Sequence, residues 1–497
     1  MRTAGILMPI FSLPSKYGIG TFGTEAYRFI DFLKSAGQTY WQILPLSPTS
    51  YGDSPYQSFS AYAGNPYFID LDLLKKEGYL IESDYCNIDW GNENSIDYSL
   101  LYQKRFAVLR KAFLRFRENL PDDYSEFLER NSDWLNDYAL FMAIKNANDG
   151  KSWDNWPDSL RLRDKDALLE ASRLYKDDIE FFTTLQYLFE KQWYQLKAYA
   201  NKNGIKIIGD IPIYVAYDSA DLWCEPEQFS LDENLKPIEV AGCPPDIFCE
   251  TGQLWGNPLY NWKSMKNSAV PFDWWCRRIE FTLNLYDVIR IDHFRGFESY
   301  YAVPFGDEDA TGGMWRKGPG IAFFKYLKER FGDLPIIAED LGFLTKEVRT
   351  MLDKSGFPGM KVIEFAFDGC SDSDHLPHNC YKNSVVYTGT HDNDTVVGWQ
   401  SSLSKEELLY VKKYLRAENE QNLNWPMIYS AFATCSDTVI IPMQDYLGLG
   451  SEARINSPST IGKNWRWRID GGCINDWLAG IIKDVTVTYK RLPVKEV

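Results

Sequence analysis

Histidine is scarce in this sequence, with four in 497 residues. No H-x-x-x-H pair occurs, so a metal-dependent reading has little to build on. The nine cysteines are scattered and form no C-x-x-C pair. An odd count in so long a chain argues against a disulfide framework and for a reducing compartment. No apolar stretch approaches 18 residues, which excludes a membrane-spanning helix from the reading. The first residues carry one Arg and an apolar run broken at Pro9 and Pro14, unlike a secretory leader. Basic residues are the minority, 53 against 69 acidic, for a formal charge of −16. That balance argues against nucleic acid or an anionic membrane as a partner. There is no P-loop and no G-x-S-x-G. Gly18–Gly23 reads G-I-G-T-F-G, but Ser12–Tyr17, with Pro14, separates it from the preceding apolar run. The next apolar run ends in Pro45-Leu46 rather than an acid, so a dinucleotide site is not expected. The reading is a soluble, cytoplasmic protein.

What is present is apolar runs. Ala4–Phe11, Thr39–Ser47, Ile205–Val215, Val288–Phe294, Pro335–Leu341, Lys361–Phe367, Ser384–Thr390 and Thr438–Gln444 are rich in Ile, Val and Tyr. Near-continuous apolar runs of this length are what strands buried on both faces require. Helical patterns lie between most of them: Thr24–Ser35, Phe182–Asn201, Asp273–Leu285, Ile321–Phe331, Thr345–Lys354 and Ser404–Arg416, with Asn475–Tyr489 at the end. Alternating strands and helices predict a (β/α)8 barrel, an α/β fold, spanning 1–497 as one catalytic unit. Two connections are too long for plain loops. Residues 48–204 contain helical patterns at Asp97–Arg117 and Tyr124–Asn148, and 216–271 is Pro/Gly-rich with little periodicity. Both are expected to be inserted subdomains, the first helical and the second a loop-rich cover over the active face.

Three acids fall at predicted strand ends. Val288–Phe294 reads V-I-R-I-D-H-F, Pro335–Gly342 reads P-I-I-A-E-D-L-G, and Ser384–Asp394 reads S-V-V-Y-T-G-T-H-D-N-D. In a barrel the C-terminal strand ends converge on one face, which would bring Asp292, Glu339 and Asp392 together. An Asp at a strand end is often only a turn former. Three of them, with Arg290, His293 and His391 adjacent, fit carbohydrate chemistry better. Breaking a glycosidic bond needs one acid to protonate the leaving oxygen and one carboxylate to attack or assist. Arg290 lies two residues before Asp292, on the same strand face, and could hold it ionised. His375 and His378 lie in a polar stretch and read as surface residues. Aromatics make up 15% of the chain. Trp262, Trp274 and Trp275 read as core. Trp255, inside the loop-forming string G-Q-L-W-G-N-P, could be a platform for a sugar ring.

These strings together resemble the amylomaltases (4-α-glucanotransferases, or disproportionating enzymes) of the retaining α-amylase clan. The resemblance runs from A-G-I-L-M-P-I-F-S-L-P-S-K-Y-G-I-G-T-F-G (Ala4–Gly23) through S-P-Y-Q-S-F-S-A-Y-A-G-N-P (Ser54–Pro66) and G-D-I-P-I-Y-V (Gly209–Val215). It continues in P-P-D-I-F-C-E-T-G-Q-L-W-G-N-P-L-Y (Pro244–Tyr260), R-I-D-H-F-R-G (Arg290–Gly296), A-E-D-L-G (Ala338–Gly342) and G-T-H-D-N-D-T (Gly389–Thr395), and ends near N-W-R-W-R (Asn464–Arg468). It implies a barrel with inserted subdomains and no separate C-terminal β-domain. It also implies α-1,4-glucan donors, glucose or maltooligosaccharide acceptors, and no cofactor or metal. Asp292 would be the nucleophile, Glu339 the acid/base and Asp392 a stabiliser. Tyr56, Asp210, Asp246, Gln253, Trp255, Arg290, His293, His391, Asp368 and Asn464 would line or support the sugar. Ile247, Cys249 and Glu250 depart from the family pattern, which touches acceptor preference. An α-glucan hydrolase, a non-catalytic glycan-binding barrel and a metal-dependent barrel hydrolase are the rival readings.

Overall fold

The computed structural model describes residues 2–245, 250–367 and 372–493. Eight parallel strands close into a barrel: β1 (Thr3–Leu7), β2 (Tyr40–Gln42), β3 (Lys206–Ile211), β4 (Val288–Ile291), β5 (Ile336–Ala338), β6 (Gly359–Val362), β7 (Ser384–Tyr387) and β8 (Thr438–Pro442). Each strand pairs with the next in the chain, and β8 closes on β1 in register from Thr3↔Thr438 to Leu7↔Pro442. All eight predicted strands are present, and the (β/α)8 class is the observed one. A small inner core of Leu7, Ile208, Ile337, Met360, Val362, Val385, Tyr387 and Ile440 fills the barrel. No helix among the described residues is long and apolar enough to cross a membrane.

Most strands end earlier than their apolar runs. The run Lys361–Phe367 is the end of β6 followed by a 3₁₀ turn, Ile363–Phe367, most of it buried. Apolar content cannot separate a buried strand from a buried turn. The run Ala4–Phe11 likewise stops at Leu7, two residues before Pro9, and continues as a 3₁₀ turn at Ile10–Ser12. The glycine-rich string Gly18–Gly23 serves close packing. A Cβ on Gly20 would sit 1.9 Å from the Ile10 carbonyl oxygen, and one on Gly23 2.0 Å from Asp70 Oδ2. The helix Asn424–Ala433, between β7 and β8, was absent from the predicted set. Its Pro426 breaks the sequence pattern, yet Pro is tolerated in a first helical turn.

Residues 48–204 are largely helical. The pattern read across Tyr124–Asn148 is two helices, Tyr124–Arg130 and Leu135–Ala147. Between them the Asn131 amide donates to the Phe127 carbonyl at 3.1 Å and to Glu190 Oε2 at 3.1 Å, ending the first helix. The last helix of the segment, Lys176–Lys202, packs on the helix Thr24–Ser35 and on β3. Two buried glutamines on it hold the chain leading away from Tyr56. Gln186 bonds both backbone groups of Gly64, and Gln192 bonds both of Asp70.

Residues 216–271 show little periodicity, yet they supply two strands of an antiparallel sheet. Its order is Gln253–Pro258, Glu239–Cys243, Ser299–Pro304, Met314–Lys317. The last two strands follow β4, outside the predicted span, so the sheet is assembled from the connections after β3 and after β4.

A buried acid ties the ends of β7 and β8. Asp445, 1% exposed, accepts hydrogen bonds from Thr388 Oγ1 at 2.5 Å and from the Val396 amide at 2.9 Å. Burial nevertheless pushes its pKa up to about 6. The folded state therefore binds this proton more tightly than the unfolded chain does. The associated stability is full below pH ~4 and is lost as pH rises through about 6. The loss is roughly 3 kcal/mol at ~1.4 kcal/mol per unit. At about 2.1 cal/mol/K per residue that equals roughly 3 °C in Tm. Asp445→Asn should gain about 3 °C on the parent protein between pH 4 and pH 7.5, read by calorimetry across pH. A pH-independent difference would refute the assignment.

Candidate active site

The acids at the ends of β4 and β5 are adjacent because those strands are adjacent. The Glu339 amide donates to the Ile291 carbonyl at 3.0 Å, and the Asp292 amide donates to Ile211 of β3 at 3.0 Å. Both carboxyls thus start from one level of the barrel rim.

Below them Arg290 is 2% exposed and pairs in register with Asp210 of β3. Its Nη1 donates to Asp210 Oδ2 at 2.6 Å and to Asp292 Oδ1 at 3.1 Å. Burial opposes its charge, but Asp210 and Asp292 outweigh burial and hold the guanidinium firmly protonated. Tyr56 Oη donates to the same Asp210 oxygen at 2.6 Å. The result is a hydrogen-bonded chain, Tyr56–Asp210–Arg290–Asp292, in which every member is a predicted site residue.

Glu339 is held by backbone. The His293 amide donates to Oε2 and the Leu341 amide to Oε1, both at 2.7 Å. The first bond requires His293 in the left-handed region, φ 49° and ψ 50°, which is uncommon for a residue other than glycine. Burial raises the Glu339 carboxyl above its ordinary range, with Arg290 and the two amides pulling it back. Burial raises Asp292 further, opposed by Arg290 and reinforced by the charges of Asp210, Glu339 and Asp392. Burial thus favours the protonated form of each carboxyl. Only Asp292 touches a guanidinium, so the geometry puts the negative charge there.

Asp392 stands across the rim on the segment after β7. Its Oδ1 accepts from Asn456 Nδ2 at 2.6 Å, and its Oδ2 lies 3.3 Å from His391 Nε2. Arg454 Nη2 donates to the Asp392 carbonyl at 2.8 Å. His391 is 3% exposed, and burial lowers its pKa, which keeps the ring neutral. Its ring stacks on Tyr56 with centroids 5.2 Å apart and planes 11° apart. Trp465 completes this wall, 5.8 Å from Tyr56 and 6.0 Å from His391. Asn456, Arg454 and Trp465 were not among the predicted residues. They lie in a loop with no periodicity, where only the string N-W-R-W-R hinted at a role.

On the other side Trp255 meets the His293 ring edge-on, centroids 4.8 Å apart. Trp255 Nε1 donates to Gln253 Oε1 at 3.1 Å. Both ride the edge strand Gln253–Pro258, so the small sheet delivers them to the rim. His293 is kept neutral by burial and by Arg295, which lower its pKa to about 3. Trp262, Trp274 and Trp275 are core, as their sequence setting implied.

Other predicted residues fall differently. The Asn464 side chain is occupied within its own loop: Oδ1 accepts from the Ser457 amide at 3.0 Å, and Nδ2 donates to the Ser457 and Thr460 carbonyls. His375 is half-buried and accepts the Val362 amide through Nδ1, whereas His378 is exposed. Asp246, Ile247, Cys249 and Asp368 lie outside the described residues. Glu250 is exposed.

A (β/α)8 barrel with paired carboxyls on its C-terminal rim, backed by a buried guanidinium and walled by aromatic rings, defines the carbohydrate-active barrel class. Comparison narrows it. The profile of the 4-alpha-glucanotransferase family matches residues 8–474. A 4-alpha-glucanotransferase from Clostridium butyricum is 50% identical over 487 residues, 97% of this chain and 100% of that one. One from Thermus thermophilus is 46% identical over 479 residues, 94% of this chain and 95% of that one. The solved amylomaltase from Streptococcus agalactiae in complex with acarbose superposes with a TM-score of 0.97 at 43% identity, covering 99% of this chain and 100% of that one. The chain belongs to the 4-alpha-glucanotransferase family.

Proposed function

We propose that this protein cuts an α-1,4-glucan with retention and passes the freed segment to the 4-hydroxyl of glucose or another α-1,4-glucan. The observation that carries the reading is the pair Asp292 and Glu339 on neighbouring, hydrogen-bonded strand ends, of which Asp292 alone accepts a hydrogen bond from Arg290. Adjacent strands lie about 4.8 Å apart, which suits the roughly 5–5.5 Å between carboxyls of a retaining enzyme.

An Asp292 oxygen attacks the anomeric carbon while the glycosidic C–O bond breaks. Glu339 gives its proton to the departing 4-oxygen. The glucan is then an ester of Asp292. In the second step an acceptor 4-hydroxyl attacks the same carbon, Glu339 takes back the proton, and Asp292 leaves as carboxylate. Asp392, fixed by Asn456 and beside His391, accepts hydrogen bonds from hydroxyls of the reacting sugar. Tyr56 and His391 form one wall of the subsite, and Gln253, Trp255 and His293 the other. Asp246 and Asp368 remain proposed sugar contacts on the family resemblance. Asn464 acts by shaping its loop. Nucleophile and proton both come from the chain, so the reaction needs no cofactor. Its setting is the cytoplasm, in keeping with nine scattered cysteines that form no C-x-x-C pair.

The rival is hydrolysis, which differs only in the second acceptor. Incubation with maltotriose alone distinguishes them. Transfer yields glucose together with maltopentaose and longer chains. Glucose and maltose with nothing longer than the substrate would refute the proposal.

A further inference from the structure

Beside the reaction centre lies a second concavity that the mechanism does not use. The turn after β4 packs on the end of β5, since the Phe294 amide donates to the Glu339 carbonyl at 3.0 Å. From this turn Arg295, 4% exposed, reaches out and donates to the Phe343 carbonyl and to Ser299 Oγ. Beyond it opens a cavity of 210 Å³, lined among others by Arg295, Glu298, Trp315, Lys317, Phe343 and Glu347.

Three features of the lining are unusual together. First, Arg295 is a buried guanidinium whose hydrogen bonds, among the described residues, go to a carbonyl and a hydroxyl rather than to a carboxylate, and leave its Nε without a partner there. Second, Trp315 is 40% exposed on the edge strand Met314–Lys317, with Arg295 stacked 3.8 Å from its ring. Third, Phe343 is 74% exposed, four residues past Glu339, on the loop Arg295 holds. A single exposed aromatic is ordinary. Two of them lining one cavity, together with charged donors and acceptors, are what a sugar ring requires. Flat rings pack on the apolar C–H faces, while Glu298 and Glu347 can accept from hydroxyls and Arg295 and Lys317 can donate to them. The lining offers little free positive charge to an anion, because Lys317 already pairs with Glu298 and Arg316 with Glu239. The mixed charge favours a neutral polyhydroxylated chain.

We propose that the cavity between Trp315 and Phe343 is a remote subsite that holds sugar units of the same α-glucan chain whose bond is broken at Asp292. This rests on the function proposed above. The Arg295 turn is bonded to the strand end that carries Glu339, so on this proposal a long glucan held at the reaction centre reaches the subsite and a short one does not.

The test is the dependence on donor length. The variants Phe343→Ala and Trp315→Ala are compared with the parent on maltotriose and maltoheptaose, each with glucose as acceptor. The ratio of kcat/KM for the longer donor to that for the shorter should fall by roughly fivefold to tenfold in each variant, the range for loss of one aromatic contact. The fall should appear mainly as a higher KM for maltoheptaose. Trp315→Phe, which keeps a flat ring, should recover most of the ratio, whereas a purely structural role for the indole would not be rescued in this length-dependent way. Ratios within about twofold of the parent in both alanine variants would overturn the subsite and leave the transferase reading intact. A parent protein that transfers from neither donor would overturn the function itself.

Discussion

Asp292→Asn should lower transfer from maltotriose by about 10⁴-fold or more, with maltoheptaose binding changed by no more than about twofold. The substitution keeps shape and removes the charge that attacks carbon. A carboxamide oxygen is a poor nucleophile, and no other described carboxylate shares the Arg290 contact from the rim. Asp210 shares Arg290 but lies beneath it, wholly covered and bonded to Tyr56. The scaffold should survive, because Arg290 keeps its shorter bond to Asp210 at 2.6 Å. Rates are read by product sizing and binding by calorimetry on the same preparation. Residual turnover within a hundredfold of the parent would remove Asp292 from the attacking role. Weak binding with slow turnover would mean that the substitution had disturbed the pocket and not only the chemistry.

The three acids were legible in the sequence for a physical reason. Parallel strands buried on both faces are apolar throughout, so the first acid after such a run marks the end of the strand, and in a barrel all such ends face one way. Arg290 was legible through the two-residue period of a strand. The roles of the acids came from the family resemblance, because Glu339 owes its setting to two backbone amides and a left-handed His293, and backbone conformation leaves little trace in residue type. The strand ends were read too far for a related reason: turns that continue into the core, such as Ile363–Phe367, are as apolar as the strands before them. The small sheet was missed because its strands are short and come from two separate connections, so neither segment alone carries a pattern. Asn456 and Trp465 were missed as single residues in an aperiodic loop, whose meaning is set only by what it is folded against.

At the opposite end of the barrel, Arg491→Ala should destabilise the protein by roughly 3–5 kcal/mol while leaving kcat of the folded fraction near that of the parent. Arg491 follows the last helix, Asp476–Thr488, and is fully buried. Its guanidinium donates to the carbonyls of Phe432 at 3.1 Å, Thr434 at 3.0 Å, Ser436 at 3.0 Å and Thr3 at 3.3 Å. It thereby joins the start of β1, the segment leading into β8 and the end of the described chain in one knot on the face away from the acids. Burial, with Arg2 nearby, pulls its pKa down to about 9, so holding the charge there is itself unfavourable. Deleting the side chain brings no gain from this, because the carbonyls it served stay in place, some of them without a donor, around a new cavity. For 497 residues, at about 2.1 cal/mol/K per residue, the loss corresponds to a Tm lower by roughly 3–5 °C. Arg491→Lys should recover less than half of it, since one ammonium cannot present donors in the spread of directions that a planar guanidinium does. Calorimetry on the three proteins reads the effect directly. An unchanged Tm in Arg491→Ala would mean that water replaces the guanidinium fully and that the knot contributes nothing to closing the barrel.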